Sequence, residues 1–486
     1  MFTTVELPLW AMVLILGFAG VTFASHFLFP SVRWFFRRRM ERAVAELNKR
    51  LARPIQPFRI MRREDQVTRL IYDPKVMEAV QDFATQQGVP PNVAFQKARS
   101  YAREIVPGFS TATYFGVAIR LAQRLSQGLY DVRLGGADNA ALAHIDPKAA
   151  VVFVMNHRSN MDYVLITWLA SSHSALSYAV GEWARVWPLK ALIRAMGAFF
   201  IRRRYSNPLY RAILARYVQM SIQQGTTQAI FPEGGLSLNG QVGAPKVGLL
   251  NYIMRGFEAT SDRDVVFVPV ALNYDRVLED RVLITAGMQG IRRFPVRVRV
   301  VLGFTLRVIW QKLRGTFRPF GHAAVCYGAP LSLRAYLESG AADNTQELGQ
   351  ELMNRIRAAV PVLPVPLAAA ALQRLGGAAS ETDLQRDAEA LCAELTLRHA
   401  WLHVPRNDIA AGLREGLDAL VLRGIVTESN GQFQVAPQEG TALHFYAASV
   451  LQRLDAPPGI APPDNRTLPL PENDGAPHGA GHKVSK

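Results

Sequence analysis

From Ala149 to Gly328 the chain sets short, unbroken apolar runs between longer segments of mixed character. The runs are AAVVFVM (149–155), ALSYAV (175–180), GAFFIR (197–202), TTQAIF (226–231), DVVFVPVAL (264–272) and AAVCYG (323–328). Runs this short, rich in valine and bounded by turn residues, predict strands buried on both faces. MDYVLITWLASS (161–172) and PLYRAILARYVQMSIQQG (208–225) instead carry the three-and-four spacing of helices. The alternation predicts an α/β domain over 148–335, a mixed, largely parallel sheet with flanking helices. Pro269, inside one apolar run, reads as an edge, a bulge or a site wall, because proline donates nothing to a ladder.

On either side the period is helical. Residues 36–147 read as a helical N-terminal region, with DPKVMEAVQDFATQQG ending in a glycine stop and NVAFQKARSYAREIV and FGVAIRLAQRLSQGLYD following. Residues 336–455 read as a helical C-terminal region with a small hairpin or turn at ESNGQF. Residues 456–486, dense in Pro, Gly and polar side chains, read as a disordered tail. Residues 1–35 are a candidate membrane anchor. Pro8 to Pro30 contain no charged side chain, and as a helix they would reach about 34 Å, enough to cross a bilayer. Arg33, Arg37, Arg38, Arg39 and Arg42 follow at once, which by the positive-inside rule keeps the bulk of the chain on the cytoplasmic face of the inner membrane. A cleaved signal would place its positive charge before the apolar run, so an uncleaved single anchor is expected.

Composition narrows the partners. Lys plus Arg number 55 against 39 Asp plus Glu, a net charge of +16, yet 49% of residues are hydrophobic, which excludes a disordered polyelectrolyte. Two cysteines, Cys326 and Cys392, make no disulfide framework and no zinc-ligand spacing, so no metal is expected. The arginines at 292, 293, 297, 299, 307, 314 and 318 interleave with apolar residues and not with stacking aromatics. Nucleic acid drops out as a partner, and membrane lipids or an anionic small substrate remain.

Four short blocks carry candidate chemistry. NHRSNMDYV (156–164) sits where a strand should end and a helix begin. His157 and Asp162 would lie about 140° apart inside one helix, so their contact requires the histidine to precede the helix and Ser159 or Asn160 to cap it. A carboxylate on one imidazole nitrogen fixes the tautomer and leaves the other nitrogen to take a proton from a hydroxyl. GAFFIRRR (197–204) runs a strand into arginines whose forked donors suit phosphate, Arg202 and Arg203 foremost. FPEGG (231–235) offers close backbone approach at Gly234 and Gly235, with Glu233 able to accept from a substrate hydroxyl or orient an arginine. Lys246, in the turn APKVG, is a further cation for an anionic substrate. The fourth block is VPVAL (268–272).

In this order the blocks resemble those of the glycerolipid acyltransferases. HRSNMDY, WPLKALIRAMGAFFIRR with PLYR after it, and FGHAAVCYGAPLSLRAYL are similar to the glycerol-3-phosphate acyltransferase branch, and the likeness extends over about 70–455. The chain looks shorter than the large bacterial members, the difference lying before the catalytic region. The resemblance implies transfer of a fatty acyl group from acyl-CoA or acyl carrier protein to the sn-1 hydroxyl of glycerol 3-phosphate, giving lysophosphatidate, with no cofactor beyond the acyl thioester. It implies His157 as general base and Asp162 as its orienting partner. Arg158, Ser159, Arg202, Arg203, Glu233, Gly234, Gly235 and Lys246 would bind substrate. The third block departs from the family pattern GGRSRTG: GGLSLNG places Leu236 and Leu238 where basic residues are expected. That leaves 1-acylglycerol 3-phosphate, another lysophospholipid or another hydroxyl compound open as acceptor. A non-catalytic membrane scaffold would have no need to retain the His/Asp pair.

Overall fold

The computed structural model of the chain describes residues 53–135, 144–172, 176–180, 193–202, 207–258, 260–290, 310–340, 344–405, 408–455 and 467–468, besides 8–18 and scattered positions among 20–51, 142 and 307–308. The chain divides into two compact units, Met1–Ile55 and Gln56–Lys486. In the first, residues 9–18 and 20 are helical, and Leu9, Trp10, Val13, Leu14, Leu16 and Phe18 stand exposed. Residues 21–30 of the expected membrane span lie outside the described residues. Among the described residues no helix is long and apolar enough to cross a membrane.

After a single helical turn at Pro57–Ile60, the second unit continues with α1 (Arg63–Ile71), α2 (Pro74–Gln87) and α3 (Pro91–Ile105). Asp73 caps α2 by accepting from the Lys75 N–H at 3.1 Å, and Gly88 ends it in the left-handed region at φ 61°. A π-helical turn at Ala112–Ala118 leads into α4 (Ile119–Leu129). Then comes β1 (Asp131–Gly135), a strand inside the stretch expected to be helical. Its five residues are too few to show a period, and what makes them a strand is a distant partner.

Next in order are β2 (Ala150–Met155), α5 (Met161–Leu169), β3 (Ser177–Val180), β4 (Phe199–Phe200), α6 (Pro208–Gln223), β5 (Gln228–Ile230), α7 (Gly248–Arg255), β6 (Val265–Tyr274), α8 (Asp280–Met288), β7 (His322–Tyr327) and β8 (Leu331–Ser332). Each of the six apolar runs overlaps one of these strands; β6 runs on to Tyr274 and β7 starts at His322. The C-terminal part holds α9 (Thr345–Ala359), α10 (Pro364–Arg374), β9 (Ala378–Ser380), α11 (Glu381–Leu397), α12 (Ile409–Leu422), β10 (Val426–Ser429), β11 (Gln432–Val435), α13 (Gly440–Leu451) and β12 (Thr467–Leu468). The expected hairpin is β10–β11, turned by Asn430 and Gly431 at φ 52° and 73°, as a primed turn requires.

The main sheet runs β12-β1-β7-β6-β2-β5-β3-β4, with β8 beside β6. From β6 to β4 every pairing is parallel, and β7 joins antiparallel to β6 and parallel to β1. The sheet is therefore mixed and largely parallel, and β2, β6 and β7 are buried along their whole lengths. Pro269 is not at an edge: β6 lies between β2 and β7. Its carbonyl accepts from the Gly328 N–H at 2.8 Å, on the side where the partner of β6 changes from β8 at 266–267 to β7 at 270–274. The missing proline N–H falls in that gap, so a central strand tolerates it. Within the tail expected to be disordered, Thr467 and Leu468 pair with Gly135 and Leu134 of β1; the other residues of 456–486 lie outside the described residues.

After β2 the chain crosses to β3 beyond β5, and it later returns to β6 on the other flank of β2. The carboxyl ends of β2 and β5 thus border a point where strand order reverses, the usual crevice of open α/β sheets.

Candidate active site

β2 ends at Met155, and the Asn156 side chain continues its pairing with β6. Oδ1 accepts from the Leu272 N–H at 2.8 Å and Nδ2 donates to the Leu272 carbonyl at 3.0 Å. The main chain can then leave the sheet at His157 without stranding the neighbour's polar groups. Four residues on, at Met161, α5 begins, with Asp162 in its first turn. The expected juxtaposition is present: the His157 Nδ1–H donates to Asp162 Oδ2 at 2.8 Å. The same oxygen accepts the N–H groups of Arg158 at 2.7 Å and Ser159 at 3.0 Å, and Oδ1 accepts the Tyr274 hydroxyl at 2.6 Å. Three donors converging on Oδ2 hold the carboxylate, and the carboxylate holds the imidazole. His157 Nε2 has no hydrogen-bond partner among the described residues. The ring lies against Phe231, centroids 4.3 Å apart, with Tyr163 edge-on at 5.3 Å.

The loop after β5 grips the histidine main chain from both sides. Glu233 Oε1 accepts the His157 N–H at 2.9 Å, and the His157 carbonyl accepts the Ser237 N–H at 2.8 Å. Glu233, expected to meet a substrate hydroxyl or an arginine, has one oxygen on the His157 main chain. Burial pushes its carboxyl up to about 7, against the lowering effect of the His157 and Gly243 N–H groups and of nearby Arg158. Gly234 takes φ 66°, and Lys246 lies over it: a Cβ there would stand 2.8 Å from Lys246 Cδ. Gly235 has open space where a side chain would begin, and Leu236 and Leu238 are half-buried.

Two residues expected at the substrate are held inside the protein. Ser159 is buried; its hydroxyl donates to Glu279 Oε2 at 2.8 Å and accepts the Met161 N–H at 3.1 Å, so it, and not the Asn160 side chain, serves the first turn of α5. Asn160 Nδ2 donates to the other Glu279 oxygen at 3.0 Å, and burial raises the Glu279 carboxyl. Arg158 is 2% exposed, donates from Nη1 to the Gly240 carbonyl and stacks over Phe445 of α13 at 4.9 Å. Its Nε and Nη2 have no partner among the described residues, and burial lowers its pKa.

Arg202, expected in a phosphate seat, has its forked edge on Glu104 of α3, with Nε 2.8 Å from Oε1 and Nη2 on Oε2. Tyr101 and Tyr210 flank its guanidinium. Glu104 had no reason to be singled out: the two are 98 positions apart and meet only because α3 packs on the end of β4. Arg203 lies outside the described residues. Tyr274 and Glu279 were missed for the same reason. The segment NYDRVLED does place polar residues just past a buried strand, a signal available in the sequence, but its meeting with the His157 loop follows from the pairing of β2 with β6.

A buried imidazole with one nitrogen on a carboxylate and, among the described residues, no partner on the other, at the carboxyl end of a central parallel strand, is an arrangement able to take a proton from a hydroxyl. Comparison with known proteins agrees: the Acyltransferase family model matches residues 134–273, and that of the glycerol-3-phosphate acyltransferase C-terminal region matches 306–452. The chain is thus similar to the glycerol-3-phosphate acyltransferase family over both segments. Among its relatives, the glycerol-3-phosphate acyltransferase of Aeromonas hydrophila is 30% identical over 71% of this chain and 41% of its own length. That of Pseudomonas entomophila is 28% identical over 82% and 50%. The chain thus spans half or less of the length of these curated relatives. A solved structure, the 1-acyl-sn-glycerophosphate acyltransferase of Thermotoga maritima, aligns over 48% of this chain and 79% of that one at 21% identity and a TM-score of 0.29.

Proposed function

We propose that the chain transfers a fatty acyl group from acyl-CoA or acyl carrier protein to the sn-1 hydroxyl of glycerol 3-phosphate. One observation carries this reading: His157 Nδ1 is bound to Asp162 at 2.8 Å while Nε2 faces no protein partner among the described residues. Nε2 takes the hydroxyl proton as the oxygen attacks the thioester carbonyl. The tetrahedral intermediate collapses with cleavage of the C–S bond, and the imidazolium returns its proton to the departing thiolate. Asp162 stabilises the imidazolium meanwhile, a contribution of about 10² to 10⁴ in rate for the acid–base pair. Lys246, over Gly234, supplies positive charge for the phosphate, with Arg203 as a further candidate. The reaction calls for no cofactor beyond the acyl thioester. The apolar segment 8–30 anchors the chain in the cytoplasmic membrane with the site on the cytoplasmic side, a reading supported by its exposed apolar side chains at 9–18 and the arginines after it.

A second acceptor reading has its own support. Leu236 and Leu238 replace expected cations, and Glu104 occupies the fork of Arg202. A less charged or lipid-bearing acceptor, such as 1-acylglycerol 3-phosphate, suits that surface. The test is an acceptor screen with the purified full chain and labelled acyl-CoA or acyl carrier protein. Lysophosphatidate from glycerol 3-phosphate is the expected product. Product from lysophospholipids alone would shift the assignment to the second acceptor, and no product from any acceptor would overturn acyl transfer.

A further inference from the structure

The helix α4 carries two faces of opposite use. Ile119, Ala122, Ser126 and Leu129 are buried, and that side packs on α5, the helix that carries Asp162. Val117, Leu121 and Leu125, spaced four apart, are 57%, 45% and 44% exposed. Gly128 continues this stripe, and Lys312 Nζ comes within 2.8 Å of where its Cβ would be, so the helical residues 310–313 adjoin the end of the stripe. There Trp310 and Leu313 are 53% and 81% exposed, with Arg314 stacked on the indole at 3.5 Å. The charged side chains carried by these two segments have one sign: Arg120, Arg124, Lys312, Arg314 and Arg318 are present, and the sequence has no Asp or Glu from 105 to 130 or from 281 to 337.

We propose that the outer face of α4, continued by Trp310 and Leu313, docks on the anionic surface of a lipid bilayer. Apolar side chains would enter the headgroup boundary, the indole would sit at that boundary, and the cations would meet the lipid phosphates. The inner face of the same helix touches α5, so docking would hold the His157 site close to the membrane plane where acyl chains reside. The proposal deepens the acyl-transfer reading and rests on it for its purpose, but its test is independent of turnover.

Leu125→Cys, Leu313→Cys and, as a remote exposed control, Leu397→Cys are each labelled with an environment-sensitive fluorophore in the full chain; native Cys326 and Cys392 are buried. The proteins are mixed with vesicles of phosphatidylcholine, with or without phosphatidylglycerol, containing brominated lipid. The labels at 125 and 313 are expected to be quenched at least about threefold more than the label at 397, more strongly with phosphatidylglycerol and less at high salt. Equal quenching at all three positions, or none at 125 and 313, overturns the proposal. So does a lipid-independent spectral shift that grows with protein concentration, which would assign the face to a second copy of the chain. Product formation is read in the same samples. Selective quenching without product leaves the docking surface standing and counts against acyl transfer; product without selective quenching does the reverse.

Discussion

Asp162→Asn isolates the charge behind the base from its geometry. In the protein, Oδ2 receives the main-chain N–H groups of Arg158 and Ser159 as well as His157 Nδ1–H, whereas among the described residues Oδ1 receives only the Tyr274 hydroxyl. An asparagine must therefore turn its carbonyl oxygen toward the three N–H donors and its amide toward the tyrosine oxygen, which can accept. The imidazole keeps its tautomer and orientation. What it loses is the negative charge facing the imidazolium as the proton arrives. A hydrogen bond to a charged group contributes about 1.5–3 kcal/mol against about 0.5–1.5 for a neutral one, so the barrier should rise by about 1–2 kcal/mol. At about 1.4 kcal/mol per factor of ten, kcat should fall about 5- to 30-fold, with KM for the acceptor nearly unchanged. Initial rates of acyl transfer at saturating donor and varied acceptor provide the measurement. An unchanged kcat would show that the carboxylate charge has no part in the reaction. A fall beyond about 10⁴-fold, the size associated with a reversed tautomer, would refute the argument that the two main-chain donors fix the amide.

Three further outcomes follow from the surroundings of the pair. Glu233 holds its proton more tightly in the folded chain, with a pKa of about 7, than when unfolded, so its contribution to stability is greatest at low pH and is lost as pH rises from about 4.5 to 7; Glu233→Gln should flatten that part of a denaturation-versus-pH curve, and identical slopes for the two proteins would contradict the burial argument. Asn156→Ala leaves the Leu272 N–H and carbonyl unpaired in a buried ladder and should cost about 2–4 kcal/mol in chemical denaturation, against less than about 1 kcal/mol if water replaces the side chain. Gly240 sits at φ 85°, and a Cβ there would fall 1.9 Å from the Phe445 carbonyl; Gly240→Ala should lower the thermal midpoint by several degrees, and a wild-type midpoint would show that α13 is free to move away.

The residues that could be read directly are those whose role is set by near neighbours in the chain. Valine-rich runs such as 149–155 and 264–272 declare buried strands because an unbroken apolar stretch of that length has few other stable states. His157 and Asp162 declare themselves because a strand end and a helix start suffice to bring two side chains five positions apart together. Gly88 and the Asn430–Gly431 turn likewise depend only on local backbone preference. Tertiary structure decided whatever depends on a distant partner. Pro269 occupies a central strand because the partner of β6 changes beside it, and β1 is a strand because β7 is there to pair. Glu104 takes the fork of Arg202, Glu279 binds Ser159 from 120 positions away, Tyr274 reaches Asp162 across 112, and Phe445 covers Arg158. Charge, size and polarity at one position say that a group needs a partner, but which partner meets the need depends on how sheet order and helix packing bring remote segments together. The sequence by itself therefore determined the six buried strands of the 149–328 region and the meeting of His157 with Asp162; the folded chain alone decided which cations are held by protein carboxylates and which side chains fix the imidazole in place.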